Sequence, residues 1–321
     1  MKIFVKPTIV VSKCLEFDAC RYNGDVISDP IVKSLMPHVH FIPVCPEVEI
    51  GLGTPRETIR IVDDLGTLKL VQPSTGEDVT EAMAIFSEQF LSALPVDGFI
   101  LKSRSPSCGT RDVKIYASSN KAPALGKGSG LFGRAVMEKF GHLAVEEEGR
   151  LKNFTIREHF FTKLFTVAAF KELKKEASMK KLVQFHGDNK YLFMAYNQTK
   201  LKEIGRIVAN HQKLPIREVF AAYEQGLYEI LNRTARYTSH INVCQHIFGY
   251  FKDKLKKEEK EHFLSLLNKY VEKKIPLSSI LALLRSWTIR FEEEYLLRQT
   301  YFEPYPEELI EITDSGKGRD Y

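Results

Sequence analysis

The sequence contains no long hydrophobic run and few cysteines. None of its apolar runs approaches the ~18 residues of a membrane span, and its first residues lack the basic start, apolar stretch and cleavage site of a secretory signal. The five cysteines are odd in number and widely spaced in 321 residues, which is untypical of a disulfide framework. We therefore expect a cytoplasmic protein whose cysteines bind a metal or take part in catalysis.

Three of the cysteines follow short apolar runs that are typical of buried β-strands. Cys14, Cys45 and Cys108 each lie a few residues beyond such a run. In an open parallel α/β sheet, ligands bind beyond the carboxyl ends of the strands, so the three thiols are predicted to converge there. The runs comprise residues 8–11, 40–44 and 98–101.

Three converging thiolates make an incomplete metal site. Structural zinc and ordinary electron-transfer iron–sulfur clusters take four ligands, whereas three protein ligands leave one position for a substrate. Cys20 as a fourth ligand would close the site, and a further alternative is that the three cysteines are buried and inert. Cys244 falls in a helical pattern and is predicted to be core. His240 and His246 lack the i, i+4 spacing of one helix face, so a histidine-based metal site has little support.

The segments around two of these cysteines carry groups suited to acid–base chemistry. Glu47 lies two residues beyond Cys45, and Ser105 and Ser107 closely precede Cys108. Prolines stiffen both segments, and a cysteine followed by proline recurs at iron–sulfur sites. The residues alone therefore indicate a soft-metal site with a candidate general base and candidate hydroxyl donors.

The first half of the chain is predicted to be an α/β Rossmann-like domain with a parallel sheet. Asp29 followed by Pro30 predicts the start of a short helix, and residues 58–62 and 67–71 are predicted to form a hairpin. The Gly-rich stretch 126–130 lacks the spacing of known phosphate-binding loops. We interpret it as a turn into a helix, with weak phosphate binding as the alternative.

From residue 156 onward, apolar residues repeat at helical spacing with little strand signal. This pattern predicts an all-α C-terminal domain, including one helix over 277–298. We expect an α/β domain over 1–148, an all-helical domain over 149–312 and a disordered tail over 313–321.

The positive charge is confined to the second half. Residues 1–150 carry 17 Lys and Arg against 19 Asp and Glu, a net −2, whereas the remainder carries 29 against 22, a net +7. Such asymmetry favours a polyanionic partner such as nucleic acid, although a helical domain also carries charge as a solvated surface.

The basic residues that we predict to contact phosphates lie early in the helical half. They are Lys171, Lys174, Lys175, Lys180, Lys181, Lys190 and Arg206, with Lys200 and Lys202 beside them.

Two tyrosines beside basic residues, Tyr191 and Tyr237, are candidates for base stacking. The other aromatic residues fall on apolar stripes and are predicted to be core.

The cysteine segments resemble the thiouracil desulfidase (TudS) family over about residues 6 to 146. The resemblance rests on Val11-Ser12-Lys13-Cys14-Leu15 with Arg21-Tyr22-Asn23-Gly24, on Cys45-Pro46-Glu47 with Gly51-Leu52-Gly53-Thr54-Pro55-Arg56, and on Leu101-Lys102-Ser103 to Cys108-Gly109. The helical remainder, from Glu148-Gly149-Arg150-Leu151 and Arg157-Glu158 onward, resembles the YbgA-type domain. This pairing is similar to the tRNA 4-thiouridine desulfidases (RudS). One segment departs from the family, which usually has a short Gly-containing turn where this chain has Glu16-Phe17-Asp18-Ala19-Cys20.

The resemblance implies a [4Fe-4S] cluster held by Cys14, Cys45 and Cys108 with one open iron. It implies Glu47 as the general base that activates water, and we assign Ser105 to hydrogen bonding or proton transfer at the ring, with Ser107 second. The implied reaction removes sulfur from 4-thiouridine in tRNA as sulfide, leaves uridine and needs no net redox change.

Two other functions remain open. A desulfidase of free thiouracil or thiolated nucleotides would share the site but would leave the basic helical domain without a role. A non-enzymatic RNA-binding protein with a structural metal would explain the charge, but it would favour four ligands and would not need Glu47.

Overall fold

The structure is a computed structural model that describes residues 2–119 and 122–311. The chain forms two compact units. Residues up to Ala168, together with the described residues 308–311, form the first unit, and Ala169–Glu307 form the second. The division falls inside a long helix, Phe154–Glu176. The tail predicted from Thr313 lies outside the described residues.

The strands of the first unit form two sheets. A four-stranded parallel sheet has the order β2-β1-β6-β9, and a five-stranded sheet has the order β5-β4-β3-β7-β8. The strands are β1 Thr8–Ser12, β2 His40–Val44, β3 Arg60–Asp64, β4 Thr67–Gln72, β5 Glu77–Asp78, β6 Gly98–Leu101, β7 Val113–Tyr116, β8 Ala124–Gly128 and β9 Ala144–Glu147.

The parallel sheet confirms the predicted α/β fold and positions the site. β1 pairs with β2 on one side and β6 on the other, and all three run in the same direction. The side chains of β1 and β6 are almost all buried, as expected for strands covered on both faces, whereas those of the edge strand β2 are mostly half-buried. Their carboxyl ends therefore lie side by side at one edge.

The helices of the first unit connect these strands, and the first begins as the sequence predicts. The Asp29 carboxylate accepts hydrogen bonds of 3.0 Å from the backbone N–H groups of Ile31 and Val32, and Pro30 occupies the first turn. The helices are α1 Pro30–Leu35, α2 Pro46–Glu49, α3 Thr80–Leu91, α4 Leu131–Phe140, α5 Glu148–Leu151 and α6 Phe154–Glu176.

The second sheet confirms one prediction and corrects another. β3 and β4 form the predicted antiparallel hairpin. The Gly-rich stretch is not a turn, because Ala124–Gly128 pairs antiparallel with β7. The physical reason is a contact distant in sequence: β7 satisfies the backbone groups of this segment despite the weak strand propensity of glycine. Space also limits side chains there, since a Cβ on Gly128 would lie 2.9 Å from Ile115 Cδ1.

The described part of the second unit is helical and contains no strand, which confirms the predicted all-α character. The predicted helix over 277–298 is two helices, because Glu292 adopts a left-handed φ of 49° that ends the first of them. The helices are α7 Met179–Asp188, α8 Lys190–Tyr196, α9 Gln198–Ala209, α10 Ile216–Ile230, α11 Tyr237–Phe248, α12 Lys257–Val271, α13 Leu277–Arg290 and α14 Glu294–Leu297, before a 3-10 turn at Glu307–Leu309.

Helix packing in the second unit is strongly aromatic. Phe248 stacks on Phe263 with ring centroids 4.4 Å apart, and Trp287 packs against both rings. Phe170 stacks on Tyr223 in another part of the unit. These rings confirm that aromatic residues on the apolar stripes are core. Among the described residues, none of the helices has the length and apolarity that crossing a membrane demands.

Candidate active site

The three predicted ligands lie at one edge of the parallel sheet. Cys14 follows β1 by two residues, Cys45 directly follows β2, and Cys108 lies in the loop after β6. The backbone N–H of Lys13 donates to Val44 O at 2.8 Å, which continues the pairing of the first two segments beyond the strands. The predicted convergence of the three cysteine segments follows from this topology.

The thiols lie close enough to affect one another electrostatically. Burial raises the pKa of the Cys14 thiol to about 12, and the neighbouring Cys45 adds to that shift. Burial also raises the pKa of Cys108 well above its ordinary value, against a hydrogen bond with Ser12 and with additions from Cys45 and Cys14. Cys14 and Cys108 are therefore protonated at neutral pH without a metal, and binding one would release both protons.

The chemistry of the donor set fits an iron–sulfur cluster. Three thiols follow separate strand ends, and thiolates are the usual ligands of iron–sulfur clusters. In the part of the chain that the structure describes, no three or more His, Cys, Asp or Glu side chains are grouped to hold a single metal ion.

Glu47 lies beside the cysteines and is fixed by an arginine. It occupies the first turn of α2, directly after Cys45. Its Oε2 accepts from Arg56 Nε at 2.8 Å and lies 2.7 Å from Arg56 Nη2. The two side chains are only 12% and 4% exposed. The ion pair compensates the charge of a carboxylate that is largely removed from water.

Two serines approach the other oxygen of this carboxylate. Ser107 Oγ donates to Glu47 Oε1 at 2.5 Å, whereas Ser105 Oγ lies 3.5 Å from the same oxygen. The two hydroxyl oxygens are 2.9 Å apart. Ser107 is fully buried, whereas Ser105 is partly exposed. Ser107 is thus placed to hold the carboxylate, and Ser105 is the hydroxyl that a substrate can reach.

The loop that carries Cys108 has a defined conformation. Ser105 Oγ accepts from the backbone N–H groups of Cys108 and Ser107 at 3.1 and 3.3 Å. Behind the loop, α4 approaches so closely that a Cβ on Gly133 would lie 2.4 Å from Gly109 O and 2.6 Å from Cys108 O. Glycine is required there because these atoms belong to the backbone and cannot rotate away.

The acidic run at the end of β9 anchors the same loop. Glu148 accepts from Lys102 Nζ at 2.5 Å, from Ser103 N at 2.7 Å and from Ser103 Oγ at 2.8 Å. Glu147 Oε1 accepts from the backbone N–H of Thr110 at 2.6 Å. These carboxylates bind the loop on both sides of Cys108. They are structural members of the site rather than a solvated charge run.

Cys20, left open as a fourth ligand, lies against Cys45. It is 3% exposed, and its backbone carbonyl oxygen lies 3.8 Å from Cys45 Sγ. Burial raises the pKa of Cys20 to about 12, and Cys45 and then Cys14 add to the shift. The structure therefore brings a fourth thiol to the edge of the site.

The predicted RNA-contacting residues form no exposed set of unpaired cations. Lys174 pairs with Glu224 at 2.6 Å, Lys175 pairs with Glu172 at 2.6 Å, and Lys181 pairs with Glu176. Exposed ion pairs of this kind contribute little free energy, so the lysines can leave them to contact phosphate. Lys171 and Lys190 are partly exposed, and Lys180 and Arg206 are exposed.

One of the two candidate stacking tyrosines is misassigned. Tyr191 is 3% exposed and Tyr237 is 45% exposed. Tyr191 is enclosed because its ring meets those of Tyr250 and Tyr295, and its hydroxyl donates to the Tyr250 hydroxyl at 3.2 Å. The neighbouring Lys190 lies over its ring at 5.6 Å. A basic residue beside Tyr191 in the sequence therefore did not indicate that the tyrosine is exposed.

The sequence reading missed Arg56, Lys102 and Glu148 as members of the site. Each belongs to a short motif near a strand end, but the sequence does not indicate which carboxylate pairs with a basic side chain elsewhere in the chain. Nine residues separate Arg56 from its partner, and Lys102 meets a glutamate 46 residues away. For Glu148, the available indication was the position of the acidic run at the carboxyl end of a strand, where the site also lies.

Two segments of the chain match known protein families. Residues 9–148 match the family described as 2-thiouracil desulfurase, and residues 190–306 match the family described as protein of unknown function (DUF1722). Among curated relatives, uncharacterized protein YbbK of Bacillus subtilis (strain 168) is 33% identical over 148 residues, which cover 43% of this chain and 95% of that protein. Uncharacterized protein YbgA of Escherichia coli (strain K12) is 27% identical over 136 residues, covering 42% and 80%.

A solved structure is also similar. It is described as the [4Fe-4S]-dependent thiouracil desulfidase TudS, and it is 29% identical to this chain with a TM-score of 0.36. The match covers 46% of this chain and 93% of that one.

The pair formed by Glu47 and Arg56 generates a stability prediction. Arg56→Met should lower the free energy of unfolding by about 3 kcal/mol, because it leaves a largely buried carboxylate without its cation. Adding Glu47→Gln to this variant should restore part of the loss. Urea denaturation measures each value.

The matched control is Lys69→Met. Lys69 pairs with Asp64 at 2.7 Å in the same unit, but both side chains are at least 40% exposed. Its loss should therefore cost less than about 1 kcal/mol. Equal losses for the two single variants would contradict a special role for the buried pair.

Proposed function

This chain belongs to the 2-thiouracil desulfurase family, and from that premise we propose that it removes sulfur from 4-thiouridine in tRNA with the aid of a [4Fe-4S] cluster. The products are uridine and sulfide. Water supplies the oxygen, so the carbon exchanges a bond to sulfur for a bond to oxygen without net oxidation or reduction. The observation that carries the proposal is Glu47, which Arg56 and Ser107 fix beside Cys45 and Cys108.

Cys14, Cys45 and Cys108 would hold the cluster through their thiolates, and Cys20 would remain outside the ligand set. When bound, the cluster would supply an open iron with Lewis acidity and affinity for thiocarbonyl sulfur. Three protein ligands suit this role because they leave one coordination position free.

Glu47 is the proposed general base. A carboxylate offers about four acceptor sites. Arg56 Nε and Nη2 both contact Oε2, and Ser107 Oγ donates to Oε1. Ser105 Oγ lies 3.5 Å from Oε1, a contact long enough for a water molecule to replace, so Oε1 can accept a proton from water. Arg56 acts as a positioning residue, since its guanidinium anchors the Oε2 end of the carboxylate.

Ser105 is the proposed donor to the pyrimidine ring. Its hydroxyl is partly exposed, and its oxygen already accepts the N–H of Cys108 at 3.1 Å. The position of the hydroxyl is therefore tied to the backbone of one predicted ligand. It can donate a hydrogen bond to the ring while Ser107 keeps its bond to Glu47.

We propose that the helical half, from residue 149 to 312, binds the RNA, and that residues 1–148 carry out the chemistry. The +7 excess of residues 151–321 supports this assignment, because phosphate contacts supply most sequence-independent affinity for nucleic acid. Binding energy from remote phosphates can offset the cost of unstacking the target base, a few kcal/mol.

A second candidate is the desulfuration of free thiouracil. The family matched by residues 9–148 favours it, since that family is described by this substrate. Both candidates require the same cysteines and Glu47. A non-enzymatic RNA-binding role is less well supported, because it gives no purpose to the buried Glu47, Arg56 and Ser107.

The cysteine set is tested by single alanine substitutions in protein that is isolated without oxygen. Replacing Cys14, Cys45 or Cys108 should abolish iron retention or sulfide release, whereas Cys20→Ala and Cys244→Ala should retain both. Iron content and sulfide released from thiolated tRNA and from free thiouracil are measured in parallel. Loss of iron in Cys20→Ala would replace the open site with a closed four-thiolate one.

The role of Glu47 is tested by Glu47→Gln. The amide is nearly isosteric with the carboxylate, so the variant should keep its iron and lose ~10²-fold or more in turnover if proton transfer limits the rate. Iron content and the rate of sulfide release give the two readouts. Full activity with full iron content would remove Glu47 from the mechanism.

The RNA-binding role is tested by replacing Lys174, Lys175, Lys180 and Lys181 together with glutamine. Desulfuration of tRNA should fall while activity on free thiouracil is unchanged, and tRNA affinity should depend less on salt by roughly 3 log units per log unit of salt if all four contact phosphate. Affinity is measured over a range of salt concentrations.

The control for these lysines removes the same charge from another helical region, at Lys257, Lys260, Lys269 and Lys274. It should change tRNA affinity much less. Equal effects of the two quadruple variants would mean that only net charge matters, and salt-independent affinity in the native chain would reject RNA delivery by this domain.

A further inference from the structure

Two buried cysteines, Cys20 and Cys45, lie beside each other at the edge of the site. The Cys45 thiol reaches the backbone carbonyl of Cys20 with Sγ 3.8 Å from the oxygen. Cys45 is 8% exposed and Cys20 is 3% exposed. Cysteines this close can reach the geometry of a disulfide by side-chain rotation and a small backbone shift.

Arg56 holds both members of this pair. Its Nη1 donates to Cys20 O at 2.9 Å, and its Nη2 lies 3.9 Å from Cys45 Sγ. The guanidinium thus fixes the two segments together and keeps the two cysteines beside each other.

The other cysteines are placed differently. Cys244 belongs to the second unit, where its sulfur lies 3.9 Å from the Tyr301 hydroxyl. Cys14 and Cys108 follow strand ends and have the predicted ligand role, which leaves Cys20 without a function in the proposed mechanism. Cys20 also lies in residues 16–20, the segment that departs from the resembled family. All five thiols are free in the structure.

We propose that Cys20 and Cys45 form a reversible disulfide when the site holds no metal. Hydrogen peroxide transfers one oxygen to the Cys45 thiol and releases the first water, which leaves a sulfenic acid. The Cys20 thiol attacks that sulfur and releases the second water. Overall, two thiols and hydrogen peroxide give one disulfide and two waters, and the sulfurs lose two electrons. A dithiol reverses the reaction.

The disulfide has a consequence that rests on the proposed function, although the disulfide itself does not. Cys45 would be unavailable as a ligand, so the chain could not take up a cluster until the bond was reduced. The bond would also protect Cys45 from oxidation to sulfinic acid, which is largely irreversible. Cys20 would thus preserve a ligand during periods without metal.

The experiment uses the full chain after a chelator has removed its iron without oxygen and the reductant has been removed. One equivalent of hydrogen peroxide should lower the number of free thiols, titrated in denaturant, from the five of the sequence by two. Cleavage before Asp18 separates Cys14 from Cys20, so mass spectrometry can assign the cross-linked pair. A dithiol should restore all five thiols.

Two variants complete the test. Cys244→Ser should still form the bond between Cys20 and Cys45, whereas Cys20→Ser should form none and should show a sulfenic acid on Cys45 that dimedone traps. Five free thiols in the treated native chain, or a bond between Cys45 and either Cys14 or Cys108, would overturn the proposal. Since the readout needs no activity, absence of sulfide release by the loaded enzyme would reject the proposed function and leave this result unaffected.

Discussion

The candidate site depends on the ion pair between Arg56 and Glu47. A carboxylate this far from water needs a cation, and the arginine supplies it through two contacts with the same oxygen, Oε2. The same guanidinium donates to the carbonyls of Cys20 and Gly53 at 2.9 Å. It therefore connects the segment after β1, the segment after β2 and the loop that carries it. Without this cation, the carboxylate and the two cysteine segments would lose their common support.

The acidic residues at the end of β9 play a complementary part on the opposite side of the site. Glu147 accepts from the backbone N–H of Thr110, and Glu148 accepts from that of Ser103 and pairs with Lys102. The two sides differ in purpose: one fixes a group meant to react, and the other fixes the backbone that presents a ligand. Both combine an ion pair with hydrogen bonds.

Much of this arrangement follows from local sequence patterns. The three strand runs before Cys14, Cys45 and Cys108 are short and apolar, and parallel pairing then places their ends together. The start of α1 was equally predictable, since capping by Asp29 is a local interaction. The general character of both halves, α/β and then all-α, follows from periodicity.

Features that depend on contacts between separate elements could not be predicted from local sequence patterns. The strand at Ala124–Gly128 forms because β7 pairs with it, and Tyr191 is buried because Tyr250 and Tyr295 enclose it. Both outcomes depend on tertiary packing, which overrides local propensity. The different environments of Ser105 and Ser107 also depend on tertiary packing. The fold buries Ser107 but leaves Ser105 partly exposed, although both belong to one short motif.

The close approach of α4 to the Cys108 loop makes the site hard to transplant. Because Gly133 faces the backbone carbonyls of Cys108 and Gly109 at distances that admit no side chain, the loop takes its shape partly from a helix that contributes no reactive group. Moving the three cysteine segments onto another parallel sheet would carry over the ligands but not the helix that shapes the Cys108 loop. A portable version of the site would have to include α4, and the smallest unit that keeps its geometry is therefore a sheet edge together with the helix packed behind it.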